Sequence, residues 1–299
     1  MRECTVIWLG ERSGYLSDWV TQQWVRSTGR RVQLADHRWL DGPAGNTRII
    51  GKDFFQEYAE KHDLEIVEGR SCGLVEDFSS LAGVLMDTGQ VAPMVRDFYE
   101  RTSAYDLDNW SEWGGFFRPF GMALAVLFSR RLQQLNIPLS PLDSSRGMSS
   151  RVMQMRDRQT GRLVQTAWVR NLHATNNVIY AGSYSVCNMP GHPGPCVKVV
   201  FPLPNGNAIV LMKPASHPDG SLSLTSAGDG FGDPGFYFTV HGRDGTVWTR
   251  YVKAMRERIT VYPAELNTAR ADHVLWFWGR QFLRLHYRMR LAAVAVPTR

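Results

Sequence analysis

Gln281-Phe282-Leu283-Arg284-Leu285-His286-Tyr287-Arg288-Met289-Arg290 is the stretch on which the fold turns. Leu283, Leu285, Tyr287 and Met289 alternate with Arg284, His286, Arg288 and Arg290. In a strand, successive side chains point to opposite faces, so this period of two predicts a strand with one apolar and one cationic face. Gly279 just ahead of it marks a turn, and residues 270–278 read as its hairpin partner. The same signature recurs back to about Ser149. Segments rich in Val, Ile, Thr and aromatics alternate with turn clusters at 157–162, 205–207, 219–221 and 244–245. About ten strands follow one another with no helix of crossover length between them, which predicts an antiparallel sheet. Closure into an up-and-down β-barrel, lipocalin-like in outline, or a strongly curled sheet would remove exposed edges. Segment 186–220 holds seven of the 15 prolines and predicts a long loop at the rim.

Upstream of residue 148 the spacing becomes helical. Leu16, Trp19, Val20 and Trp24 make one face, and Phe54, Phe55, Tyr58 and Ala59 a second. Val91, Val95 and Phe98 make a third, with Pro93 suited to the first turn and Asp97 placed to pair with Arg101. A fourth helix is expected over 119–135, ended by Pro138 and Pro141. The expectation is therefore an α+β protein: a helical cap over 1–148 packed on a barrel-like antiparallel region over 149–299. The opening strand–helix–strand pattern lacks a GxGxxG, since Gly10 and Gly14 are four apart, so a dinucleotide-binding unit is set aside.

Composition fits this frame. The 299 residues are 43% hydrophobic and 21% charged, a globular balance large enough to fold without disulfide or metal staples. The net charge of +6 resolves into −4 over 1–148 and +10 over 149–299. Either the halves dock and partly neutralise, or the basic half holds an anionic ligand. There is no dense Lys/Arg run, so no nucleic-acid partner is expected. The apolar segment 116–131 is too short to span a bilayer and reads as a buried helix, or as one lying on a membrane surface. The N-terminal apolar run is short for a signal peptide and the four cysteines suit reduced thiols, so a cytoplasmic location is expected. Cys187, Cys196 and His192 do not make a zinc set, and no metal is expected.

No GxSxG, HExxH, P-loop or kinase signature is present. The candidates are positional. Asp106 and Asp108 sit among Tyr99, Trp110, Trp113 and Phe117, with Arg118 beside them. A carboxyl desolvated against aromatic rings has a raised pKa suited to proton transfer. The alternative is a helix–loop–helix with these acids as caps and the rings as core. Tyr180 and Tyr184 share a face with Val178, Gly182 and Val186, where two hydroxyls flank an open glycine. His286 reads as a general base or as a surface residue, and Lys198 as an anion hook or a solvated one. Tyr237 and Trp276 complete a candidate ligand wall.

The function expected from this set is an enzyme without organic cofactor, of cyclase, isomerase or dehydratase type. Its partner would be an apolar or amphipathic small molecule, with or without an anionic group. The alternatives are a non-catalytic carrier or sensor of a lipid-like ligand, and a peripheral membrane or partner-binding protein acting through 116–131.

Overall fold

A computed structural model describes residues 16–45, 50, 53–114, 148–172, 178–242 and 244–292. The first part of the chain contains α1 (Leu16–Thr28), β1 (Arg30–Val32), α2 (Phe54–Lys61), β2 (Leu64–Val67), α3 (Pro93–Glu100) and β3 (Tyr105–Trp113). Eleven strands follow: β4 (Met148–Asp157), β5 (Leu163–Leu172), β6 (Val178–Asn188), β7 (Pro195–Leu203), β8 (Gly206–Ser216), β9 (Leu222–Ser226), β10 (Phe236–His241), β11 (Val247–Tyr251), β12 (Met255–Pro263), β13 (Thr268–Phe277) and β14 (Arg280–Leu291). The three helices form where the spacing places them. The expected helix over 119–135 and the opening strand lie outside the described residues.

The expected layout, a helical half set on a barrel, is not what folds. Strand accounts for 51% and helix for 16%, in one open sheet of 14 strands. Its path runs β2-β4-β5-β6-β7-β8-β9-β12-β13-β14-β3, with β10, β11 and β1 branching from β8. The reason lies in the first half, which supplies strands as well as helices. In β3, Tyr105, Leu107, Asn109 and Ser111 are buried, while Asp106, Asp108, Trp110 and Glu112 are exposed. That period of two is a strand pattern, so the stretch is not a helix–loop–helix. β3 pairs with β14 and β2 pairs with β4, and each is an edge, so the sheet does not close.

The loop expected at 186–220 is also mostly strand. Pro195 opens β7 and Pro202 lies near its end, where a missing N–H costs little. Pro214 lies past Met212, the last β8 residue paired with β7. At Gly206, where β8 begins between β7 and β10, a Cβ would stand 2.0 Å from the Thr239 carbonyl oxygen. Only glycine lets the backbones approach this closely.

Although open, the sheet bends far. Leu107, Val152, Trp168, Val199, Met212, Leu224, Val261, Ala271 and Met289, from strands along its whole length, belong to one core cluster. The centre of that cluster comes from segment 72–105, including Phe78, Val95, Phe98 and Tyr99. α3 therefore sits inside the curl as a plug. Its segment is tied to one end of the sheet: Ala92 N–H bonds Gly220 O in the β8–β9 connection, and Ser216 N–H bonds Leu85 O. Outside, α2 covers Met153, Met155, Ala167 and Val169.

The turn signals read from the sequence are hydrogen-bonded as such. Asp157 Oδ1 accepts from Thr160 N–H (2.8 Å) and Asp219 Oδ1 from Ser221 N–H (2.9 Å). Asp244 Oδ1 accepts from Thr246 N–H (3.1 Å). These bonds hold all three carboxyls below their ordinary pKa: chiefly Thr160 N–H for Asp157, and the Ser221 and Thr246 hydroxyls for the other two. A depressed folded pKa contributes stability that is present above the unfolded value and is lost as pH falls through the folded one. The thermal midpoint should therefore drop as pH falls below about 4. Asp157→Asn should flatten part of that drop, read by circular dichroism between neutral pH and acid.

Candidate functional site

β5 turns Thr166, Trp168 and Arg170 toward the interior. Arg170 is 5% exposed. Its guanidinium carbon lies 4.7 Å from the ring centres of both Trp168 and Tyr180, and 5.5 Å from that of Tyr287 on β14. The contact from β5 to β14 measures how far the sheet curls. Nε and Nη1 of Arg170 are buried without a hydrogen-bond partner. Ring faces stabilise a cation, but they do not replace hydrogen bonds to an anion.

Tyr180 and Tyr184 point into the same space. The Tyr180 hydroxyl donates to that of Tyr184 at 2.6 Å. Burial pushes both phenols well above their ordinary range, so at neutral pH they are hydrogen-bonding hydroxyls and not bases. Tyr99 of α3 lies close to Tyr184, and its phenol is raised chiefly by burial and then by Tyr184. Gly182 does leave room, but the Tyr180 hydroxyl and the Phe201 ring take it: a Cβ there would meet them at 3.0 and 3.1 Å. Val178 does not share this face. The β5–β6 register slips between Arg170 and Asn171, and Val178 packs with Ala181 under α2.

Across the interior, His273 Nε2 lies 2.8 Å from Glu257 Oε2, with Glu257 6% exposed. The Glu257 charge contributes to raising Tyr184. Arg170, Tyr180, Tyr184, Glu257, His273 and Tyr287 thus form one interior polar group.

The other expected residues fall elsewhere. His286, Asp108 and Trp110 meet on the outer face of β14 and β3, away from Tyr180 and Tyr184. His286 Nδ1 bonds Asp272 Oδ1 at 2.6 Å, its Nε2 lies 3.5 Å from Glu112, and the Trp110 ring stacks on it at 5.3 Å. Asp108 accepts from Arg288 at 2.7 Å, and exposed Asp106 stands opposite Arg290. Trp113 packs against Phe282. Lys198 is on an outer face, donating to Asp41 O at 2.7 Å, and burial lowers its pKa. Tyr237 is buried against Trp39 and donates to Asp233 O at 2.5 Å. Trp276 lies opposite Arg256 on the outer face of β13. Phe117, Arg118 and the 116–131 segment lie outside the described residues. Cys187 and Cys196 face each other across β6 and β7 as free thiols, and no group of three or more His, Cys, Asp or Glu that could hold a metal ion occurs among the described residues.

Arg170, Glu257, His273 and Tyr287 were absent from the sequence candidates. The signal for Arg170 was its place two residues after Trp168, on the same strand face.

No family model matches the chain, and no solved structure matches it. A curated relative is "Uncharacterized membrane protein YndJ" of Bacillus subtilis (strain 168), 29% identical over 242 residues. The match covers 80% of this chain and 41% of that protein, so the chain spans about two fifths of the relative's length. The relative's name overturns the expectation of a cytoplasmic location, which rested on cysteine number and the N-terminal residues. Among the described residues no helix is long and apolar enough to cross a membrane.

The Glu257–His273 contact makes a stability prediction. His273→Ala leaves a buried carboxyl without its partner and should cost about 2 kcal/mol. Replacing both residues by Leu should cost less than the single change, since it removes the orphaned group as well. Urea unfolding of the two variants checks both statements.

Proposed function

We propose that the interior of the curled sheet binds the acidic head of an apolar or amphipathic small molecule, with Arg170 as the anion ligand. The observation that carries this reading is the buried guanidinium whose Nε and Nη1 lack hydrogen-bond partners. A carboxylate or phosphate oxygen would complete both N–H groups in the fork geometry that arginine favours. The Tyr184 hydroxyl, which accepts from Tyr180, keeps its own proton to donate. Trp168, Tyr180 and Tyr287 offer an apolar wall next to that head. The relative's name, a membrane protein, makes a lipid the first ligand class to try. Carriage or sensing fits this set better than proton transfer, because the raised phenols are poor bases. A second reading, cofactor-independent catalysis of isomerase or cyclase type, draws on Glu257 and His273, an acid–base couple in the same interior.

The test is titration calorimetry of the full chain with oleate and with oleyl alcohol, beside native mass spectrometry for co-purified ligand. Oleate should bind more tightly than the alcohol. Arg170→Met should lower oleate affinity about tenfold or more and leave the alcohol unchanged. Removing a buried cation with two empty donors should also keep or raise the thermal midpoint. Equal oleate affinity in both proteins would sink the proposal. Turnover lost in Glu257→Gln, with binding retained, would favour the catalytic reading.

A further inference from the structure

The β13–β14 hairpin turns on Trp278 and Gly279, with φ of 48° and 73°. Positive φ at both central residues defines the turn type that favours Asn-Gly or Asp-Gly. A bulky aromatic in the first position is disfavoured by its Cβ, so the local geometry does not explain the tryptophan. Packing explains it little better. Trp278 is 78% exposed and touches its neighbour Phe277, with ring centres 4.3 Å apart. A strained residue that contributes little to the core points to a role at the surface.

The surroundings indicate which role. Trp278 N–H bonds Ala254 O, which ties the tip to the loop carrying Lys253 and to the start of β12 with Arg256. Lys253 and Arg256 are 65% and 48% exposed, and Arg280 follows the turn, also exposed. Asp229, itself 88% exposed, faces Lys253 at 3.9 Å and Arg256 at 4.0 Å, distances that leave both cations largely solvated. An exposed indole at a tip whose adjoining loop and strands carry three cations, with one acid beside two of them, matches the headgroup layer of an anionic bilayer. There the amphipathic ring settles at the interface and the cations meet phosphodiesters.

We propose that this hairpin tip docks the protein peripherally on a membrane surface rich in anionic phospholipid. The hairpin tip shares no residue with the Arg170 site.

The test is co-sedimentation of the full chain with phosphatidylcholine vesicles, with and without phosphatidylglycerol, at low and high salt. Binding should require phosphatidylglycerol and weaken as salt screens the cations. Trp278→Asn restores the preferred Asn-Gly turn, so it should keep or raise the thermal midpoint while weakening vesicle binding about tenfold. Lys253→Glu with Arg280→Glu should weaken it further, since each cation near an anionic surface contributes about fivefold. Three results would each overturn the proposal: no sedimentation of the unaltered protein with anionic vesicles, unchanged binding by Trp278→Asn, or a lower midpoint in that variant.

Discussion

The rest of the structure depends on the burial of α3 inside the curl of the sheet. Val95, Phe98 and Tyr99 leave water on one short helix, and each contributes about 1.5–3 kcal/mol. A sheet with free edges at β2 and β3 has no closure bonds to hold its curvature. The common core supplies the reason for strands at both ends of the path to bend inward. The helix also decides what the interior can contain. Its segment is tied to the β8–β9 connection and brings Tyr99 against Tyr184. Arg170 and Tyr180 sit near the other ends of β5 and β6, beyond the plug. Apolar filling from one end leaves the polar group at the other.

That polar group has an energetic cost that the fold does not require. An isolated buried cation is unfavourable, and the three rings around Arg170 offset it only in part. Leu or Met at this position would satisfy the same core. Glu257 is buried too, but it faces His273 across the β12–β13 pair, so its hydrogen bonding is met locally. The contrast between a partnered carboxyl and a guanidinium with Nε and Nη1 left bare in one interior is what makes Arg170 the informative residue.

Much of the sheet was legible, because turn chemistry and period-two alternation are local. The β14 pattern, the Asp-Gly and Asn-Gly turns and the Asp97–Arg101 pair all follow from spacing alone. In β3 the composition conceals the period: Asp106, Asp108, Trp110 and Trp113 together suggest an acid-and-aromatic pocket, while the alternation from Tyr105 specifies a strand. Counting alternate positions from Tyr105 would have placed both acids outside. The face of Val178 was not legible, since a register slip two strands long in its effects is set by tertiary packing at Arg170 and Asn171. The interior group was half legible. Alternation puts Arg170 with Trp168, but its burial depends on β14 arriving opposite, a contact more than a hundred residues away in sequence.

The charge asymmetry of the chain bears on that arrival. In the β3–β14 ladder, Glu112 stands opposite Arg284, Asp108 opposite Arg288 and Asp106 opposite Arg290. The acidic half thus meets the basic half residue by residue on one strand pair. Each exposed pair is worth little alone, about 0.2–1 kcal/mol. Their alternation nevertheless penalises a slip of one residue, which would turn these charges toward the core and Leu283, Leu285 and Tyr287 toward water. The outer charges therefore help to set the register of β14, and that register places Tyr287 over the Arg170 guanidinium. A charge pattern on the solvent face in this way positions an aromatic ring in the interior, and it is there that a ligand head would meet both groups.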